Sequence, residues 1–163
     1  MKNTTKNHLI VISGPTASGK TSLAIELALH FNCEIISADS RQFYKEISIG
    51  TAKPTEEELN KVKHHFINNK HIEELYSAGE FERDVITLLP SLFIKNNIVI
   101  MVGGSGMYID AVCSGFDELP RNISIRNDLN TSYKSKGIKH LQEELKLKDP
   151  DYFLTVDQKN PQR

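Results

Sequence analysis

The sequence predicts an α/β protein built on a parallel sheet, and three observations carry that prediction. A run rich in β-branched residues, Leu9-Ile10-Val11-Ile12, stops at Ser13-Gly14, and a helical pattern with Leu23, Ala24, Leu27, Ala28 and Phe31 follows it. Glu34 to Ala38 then reads as a second short strand, closing a strand–helix–strand unit within about thirty residues. Ile98 to Val102 is apolar without alternation, as a central parallel strand covered on both faces requires.

The first strand reads as a buried one, and the turn after it carries the chemistry. Gly14 to Thr21 spells GPTASGKT and fits G-x-x-x-x-G-K-T, the phosphate-binding loop pattern. With the parallel sheet, this predicts a P-loop NTPase-like three-layer fold. Glycines let the backbone curl until successive N–H groups face inward and form an anion nest. The helix that follows adds the partial positive charge of its N-terminus. Gly14, Pro15, Thr16, Ala17, Ser18, Gly19, Lys20 and Thr21 therefore form the expected diphosphate-binding set. Lys20 would bring an ammonium to the terminal phosphate, and the Thr21 hydroxyl would be the protein's ligand to a Mg²⁺ bridging phosphate oxygens. The competing reading, a glycine-rich turn with Lys20 merely solvated, lacks a reason for the strand before and the helix after.

Composition sets the bounds. The 163 residues suit one domain, or one domain and part of another, and 39% hydrophobic with 25% charged is ordinary for a globular protein. No apolar run approaches the ~20 residues that span a bilayer, and the polar start MKNTTKNH is not a secretory leader. Cys33 and Cys113 match no metal-ligand spacing and read as small residues of a reducing cytoplasm. Twenty basic against 21 acidic residues give a net charge of −1, which argues against binding nucleic acid through a broad basic surface. A local basic groove stays open.

Taken in order, the second strand ends in Asp39, and parallel pairing puts that carboxylate on the same sheet edge as the phosphate loop. Ser40-Arg41-Gln42-Phe43-Tyr44 continues from it as a polar site candidate; the plainer role for Asp39 is a helix cap. Gly50 to Pro54 is a turn, and Thr55 with Glu58 forms a capping box for a short helix to about Lys63. His64-His65 cannot share one helical face and have no second pair at ligand spacing, so a metal site is not expected and a structural or polar contact is. Ser77 with Glu80 caps a longer helix carrying Phe81, Val85, Leu88, Leu89 and Leu92, which Pro90 should kink or break. Gly103-Gly104-Ser105-Gly106 reads either as a second loop approaching the ligand or first loop, or as a plain tight turn. Residues 1–116 are expected to form the core. From 117 the character changes: two charged amphipathic helices, Ser124–Lys136 and Ile138–Lys148, flank Gly137, and Asp149-Pro150 reads as a stop.

These residues together resemble the tRNA dimethylallyltransferases (tRNA isopentenyltransferases, or IPP transferases). The resemblance rests on GPTASGKT at 14–21, ISADSRQFY at 36–44, IGTAKP at 49–54, the HH-to-SAGEF stretch at 64–81, VGGSGMY at 102–108 and NPQR at 160–163. The family usually has GGTGLY, so Ser105 and Met107 depart mildly. It implies a truncated chain, with 117–163 the incomplete start of a helical insertion that grips the anticodon arm. It also implies transfer of a dimethylallyl group from dimethylallyl diphosphate to the exocyclic amine of an adenine beside the anticodon of tRNA. Lys20, Thr21 and Asp39 would be catalytic, with Asp39 accepting the amine proton. Asp39, Ser40, Arg41, Gln42, Ser105, Gln162 and Arg163 would lie among the tRNA contacts. A Mg²⁺-dependent cytoplasmic monomer is expected. The rivals are a small-molecule or nucleotide kinase using ATP, and a non-catalytic nucleotide- or RNA-binding module. The arginines Arg83, Arg121 and Arg126 are scattered rather than clustered as a kinase lid would have them.

Overall fold

Parallel pairing organises the first part of the chain. β1 (His8–Ser13), β2 (Ile35–Ser37), β3 (His64–His65) and β4 (Ile98–Gly103) form one sheet in the order β1-β4-β2-β3. The computed structural model describes residues 6–115 and 122–161. The unit β1, α1 (Lys20–Phe31), β2 forms as expected, but its two strands are not neighbours. β4 lies between them, pairing Ser13 with Gly103 on one side and Ser37 with Val102 on the other. β1 thus lies at a sheet edge among the described residues, and it is half-exposed rather than buried, with Val11 at 36%.

Alternation along β2 and β4 divides the core into two. Ile35, Ile100 and Val102 face Ala24, Ile25 and Ala28 of α1. Ile36, Val99 and Met101 face Phe81, Val85 and Leu92 of α3 (Ala78–Lys95), together with Ile109 of α4 (Gly106–Ser114). Successive strand residues point to opposite faces, so each strand must be apolar throughout to satisfy both helix layers. Helices, parallel sheet and helices give the three layers.

The capping boxes form as read. Thr55 opens α2 (Glu56–Lys61), and Ser77 opens α3, each bonded reciprocally with the glutamate three residues on. α3 runs on through Pro90 to Lys95, so the expected break does not occur. Leu92, buried at 3%, and Phe93, packed on the same core, secure the turn beyond the proline. The loop at 103–106 leads directly into α4, a helix the sequence reading left unassigned.

Contacts divide the chain into units Met1–Asp117 and Glu118–Arg163. The second contains α5 (Ile123–Lys136), α6 (Ile138–Lys148) and α7 (Pro150–Thr155), none with a buried residue. Asp149-Pro150 stops α6, with Asp149 as its C-cap, and also opens α7. Asp149 accepts from the Tyr152 N–H, and Pro150 takes the first helical position, where no N–H is needed.

Candidate active site

The site grows from the register of three strand tips. Ser13 and Gly103 lie side by side, and Ala38, just past β2, donates its N–H to Val102 O at 2.8 Å. The segments leaving these tips, Gly14–Gly19, Asp39–Gln42 and Gly104–Ser105, are therefore delivered to one edge. Gly103 is fixed by this packing. A Cβ there would stand 2.1 Å from the Ala38 carbonyl oxygen, a contact no side chain survives. At Gly104 a Cβ would lie 3.6 Å from Gly14 O and 4.0 Å from Asp39 Oδ2. The second glycine loop thus touches both the phosphate loop and the Asp39 turn.

The first loop has the conformation that an anion nest needs. Ala17 (φ 64°) and Gly19 (φ 82°) are left-handed, and α1 starts at Lys20 with Gly19 as its cap. Lys20 Nζ donates to the Pro15 carbonyl, holding the ammonium over the loop. Asp39 is anchored through its backbone and one oxygen. Its carbonyl accepts from Gln42 N–H at 3.0 Å, and Oδ1 accepts from Arg41 N–H at 3.0 Å. Ser105 ties the turn down from the other loop. Its hydroxyl accepts from Ser40 N–H at 2.9 Å and donates to Ser40 Oγ at 3.2 Å.

Gln42 behaves differently from the reading that placed it against RNA. It is 8% exposed; Oε1 accepts from Ser37 Oγ at 2.9 Å, and Nε2 donates to Thr51 O at 3.2 Å and Ala52 O at 3.0 Å. Its amide pins the 50–54 loop to the end of β2. Lys53 of that loop donates to Tyr44 O and to Asn68 Oδ1 at 2.8 Å, and burial pulls its ammonium pKa down. Arg41 is exposed. Gln162 and Arg163 lie outside the described residues.

A cavity of about 220 Å³ joins these parts, with the loop residues Thr16–Thr21 on one wall and Ser37, Asp39, Gln42, Ala52, Pro54 and Gly103-Gly104 on the others. His64 also lines it, from β3. Sequence reasoning missed Ser37 and His64 as wall residues, although Ser37 is two residues before Asp39 and could have been suspected. Behind the turn, Phe43 sits in an aromatic cluster: 5.3 Å from Phe81, 5.1 Å from Tyr76 and 5.5 Å from Tyr108 between ring centroids. That rigid backing fixes where the 39–42 segment leaves the sheet.

His65, the neighbour of His64, points elsewhere. Its Nε2 meets Glu34 Oε2 at 2.6 Å, and Lys95 reaches Glu34 Oε1 at 2.6 Å. Partial burial pushes the Glu34 carboxyl up. The bonds from Lys95 and His65, with the charge of Lys63, outweigh that and hold it below its ordinary value. Among the described residues no three His, Cys, Asp or Glu side chains gather to hold a metal ion.

The parallel three-layer fold and the glycine-containing loop at its strand tips define a P-loop-type α/β protein. The IPP transferase family model matches residues 42–163, and the chain belongs to that family. A tRNA dimethylallyltransferase of Flavobacterium johnsoniae is 53% identical over 156 residues, covering 95% of this chain and 50% of that protein. The Flavobacterium psychrophilum protein of the same name is 55% identical over 158 residues, covering 96% and 51%. Among solved structures, a tRNA isopentenylpyrophosphate transferase of Bacillus halodurans superposes with a TM-score of 0.66 at 34% identity, over 97% of this chain and 53% of that one. A eukaryotic dimethylallyltransferase described as acting on tRNA gives a TM-score of 0.76 at 27% identity, over 98% and 40%. This chain spans about half the length of the curated relatives it matches.

Proposed function

We propose that this chain forms the diphosphate-holding and proton-accepting part of a tRNA dimethylallyltransferase. One observation carries the reading: the phosphate loop and the Asp39 carboxylate open into one cavity of about 220 Å³. The adenine N6 lone pair attacks C1 of dimethylallyl diphosphate, the C1–O bond breaks, and pyrophosphate leaves with the bonding pair. Charge grows on that pyrophosphate, and backbone N–H groups of the 14–21 loop, Pro15 apart, together with the Lys20 ammonium would neutralise it. Because the adenine amine is a weak nucleophile, its proton must leave as the C–N bond forms. Asp39 takes it, an assistance of ~10²–10⁴-fold.

The oxygen donors in the cavity, the Thr21 hydroxyl and the Asp39 carboxylate, suit a hard cation such as Mg²⁺. Thr21 would be its protein ligand, with diphosphate oxygens supplying most of the rest, and the bound ion would neutralise leaving-group charge. By family resemblance Ser40, Arg41 and Ser105, which lie next to Asp39 or are bonded to its turn, would contact a base flipped from the anticodon loop. Gln162 and Arg163 belong to the same RNA-facing set by family resemblance. Gln42 serves through the loop it holds.

The test is a binding competition on this chain and label transfer by the full-length parent. Dimethylallyl diphosphate should displace a labelled diphosphate probe at lower concentration than ATP does. The full-length parent given tRNA and labelled dimethylallyl diphosphate should label the tRNA. ATP winning the competition, with phosphate rather than a prenyl group transferred, would establish a kinase instead.

A further inference from the structure

Part of the cavity wall belongs to neither the sheet nor a helix. Ala52 and Pro54 line the cavity from a stretch, 48–54, that contains no regular element. None of its residues joins either apolar core cluster, and Ile49, its one large aliphatic side chain, is 98% exposed. Thr51 is buried, but its hydroxyl donates to Ser48 O at 2.8 Å, within the same stretch. A segment without apolar anchors has to be tied in place by polar ones.

Two side chains tie it. Gln42, from the turn that carries Asp39, donates through Nε2 to Thr51 O at 3.2 Å and Ala52 O at 3.0 Å. Lys53 returns the contact from the loop: its ammonium donates to Tyr44 O, two residues past Gln42, and to Asn68 Oδ1 at 2.8 Å. Among the described residues, these bonds alone join 48–54 to the rest of the molecule by hydrogen bonding. Both acceptors of Lys53 are themselves fixed to the Asp39 turn. Asn68 N–H donates to Gln42 O, and Lys70 N–H to Phe43 O, each at 3.0 Å. The clasp is therefore reciprocal, with Gln42 reaching out to the loop and Lys53 reaching back.

Backbone strain shows what the clasp works against. Ala52 has φ 48°, a left-handed conformation that is unfavourable for a residue with a Cβ and persists where its surroundings over-determine it. Gln42 holds its carbonyl, and Lys53, next in the chain, is anchored beyond it. With one anchor gone, Ala52 is free to relax and to carry the wall with it. Lys53 has no carboxylate partner among the described residues. Burial lowers its pKa from the ordinary 10.5, which the charge of Glu46 offsets only in part, so the ammonium is held here by its two neutral acceptors.

We propose that Lys53 is a positioning residue for prenyl transfer: with Gln42 it locks the strained 50–54 wall to the turn that presents Asp39. The inference rests on the transfer reaction proposed above. Lys53 does not itself line the cavity; it acts through its neighbours Ala52 and Pro54.

Because the diphosphate is assigned to the 14–21 loop, the clasp should govern transfer and spare affinity. Lys53→Met keeps an apolar stem and removes the donors. In this chain, titration calorimetry should show it binding inorganic pyrophosphate with Mg²⁺ within about threefold of the unsubstituted protein. In the full-length parent it should lower the single-turnover rate of prenyl transfer, at saturating dimethylallyl diphosphate, by about tenfold or more. A lysine that only stabilised the fold would lower the unfolding midpoint and leave that rate, per folded molecule, unchanged. A second measurement needs no variant to fold. In the unsubstituted chain with ¹⁵N-labelled lysine, the Lys53 ammonium protons should exchange with water more slowly than those of solvated lysines. A folded Lys53→Met with the parent's transfer rate, an equal loss of rate and pyrophosphate affinity, or Lys53 protons that exchange as fast as solvated ones each overturns the role of Lys53 and leaves the reaction standing. A parent that binds pyrophosphate but transfers no prenyl group overturns both.

Discussion

At the scale of single residues, the site depends on groups committed to each other before any ligand arrives. Gln42 is the clearest case. Gln42→Leu would strand the Ser37 hydroxyl and the Thr51 and Ala52 carbonyls, at about 2–3 kcal/mol of stability, measurable by urea unfolding. Gly103→Ala sets a methyl against the Ala38 backbone, and we expect a loss of about 3 kcal/mol or more, or no soluble protein. Asp39→Ala should bind diphosphate as before while prenyl transfer falls by ~10²-fold or more, read from single-turnover rates. Normal transfer with lost diphosphate affinity would reassign Asp39 to the cradle. His64 also sets a pH dependence. Its folded pKa lies below the ordinary 6.5, so the folded state binds fewer protons than the unfolded chain as pH drops. Stability contributed above pH 6.5 is lost as pH falls from there toward the folded value. His64→Gln should remove that part of the stability–pH curve.

At the scale of elements, caps and loop staples decide where the chain turns. Ser77 both accepts from Glu80 N–H and starts the helix that carries Phe81, Val85 and Leu92 into the core. Ser77→Ala should cost about 1 kcal/mol. Ser105 occupies the cap position of α4, but its hydroxyl serves Ser40 instead of the helix. Ser105→Thr, which keeps the hydroxyl, should leave stability near the parent value. Ser105→Ala should lower it by about 1 kcal/mol and broaden amide signals of residues 39–42. These elements were the most legible part of the sequence. Both capping boxes, the strand at Ile98 and the α5–Gly137–α6 pair follow from side chains within a turn or two of one another. α4 is hard to read because three glycines conceal the start of a helix whose buried Ile109 finds its partners in the distant α3 and the strands beside it. Asp149-Pro150 ends α6 as its sequence indicates, but α7 after it is hidden because the pair that ends one helix is equally fit to begin the next.

At the scale of the whole molecule, the sheet keeps two kinds of work at opposite strand ends. Glu34, just before β2, gathers His65 and Lys95, whereas the phosphate loop and Asp39 lie beyond the other end. The Glu34 carboxyl is held below its ordinary 4.5, so its stabilising contribution is present above that pH and lost as pH falls through the lower folded value. Glu34→Gln should flatten that acid limb without changing pyrophosphate affinity. We further propose that residues 1–116 act as a core that binds diphosphate without the rest. A chain ending at residue 117 should bind pyrophosphate within about threefold of the 163-residue protein, and loss of that binding would tie the helices α5–α7 to the site.

The sequence by itself settled the phosphate loop, the carboxylate at the second strand tip, the caps and the parallel α/β class. Those features arise from backbone geometry and contacts a few residues long, which a linear pattern records. Only the tertiary structure decided that β4 divides β1 from β2, that Gln42 turns inward to hold the 50–54 loop, and that His64 joins the cavity wall. Gln42 reaches carbonyls 9 and 10 residues away, and the other two depend on strand order. Such partners are chosen by which surfaces must be buried together, and that choice is made by packing rather than by any local run of residues.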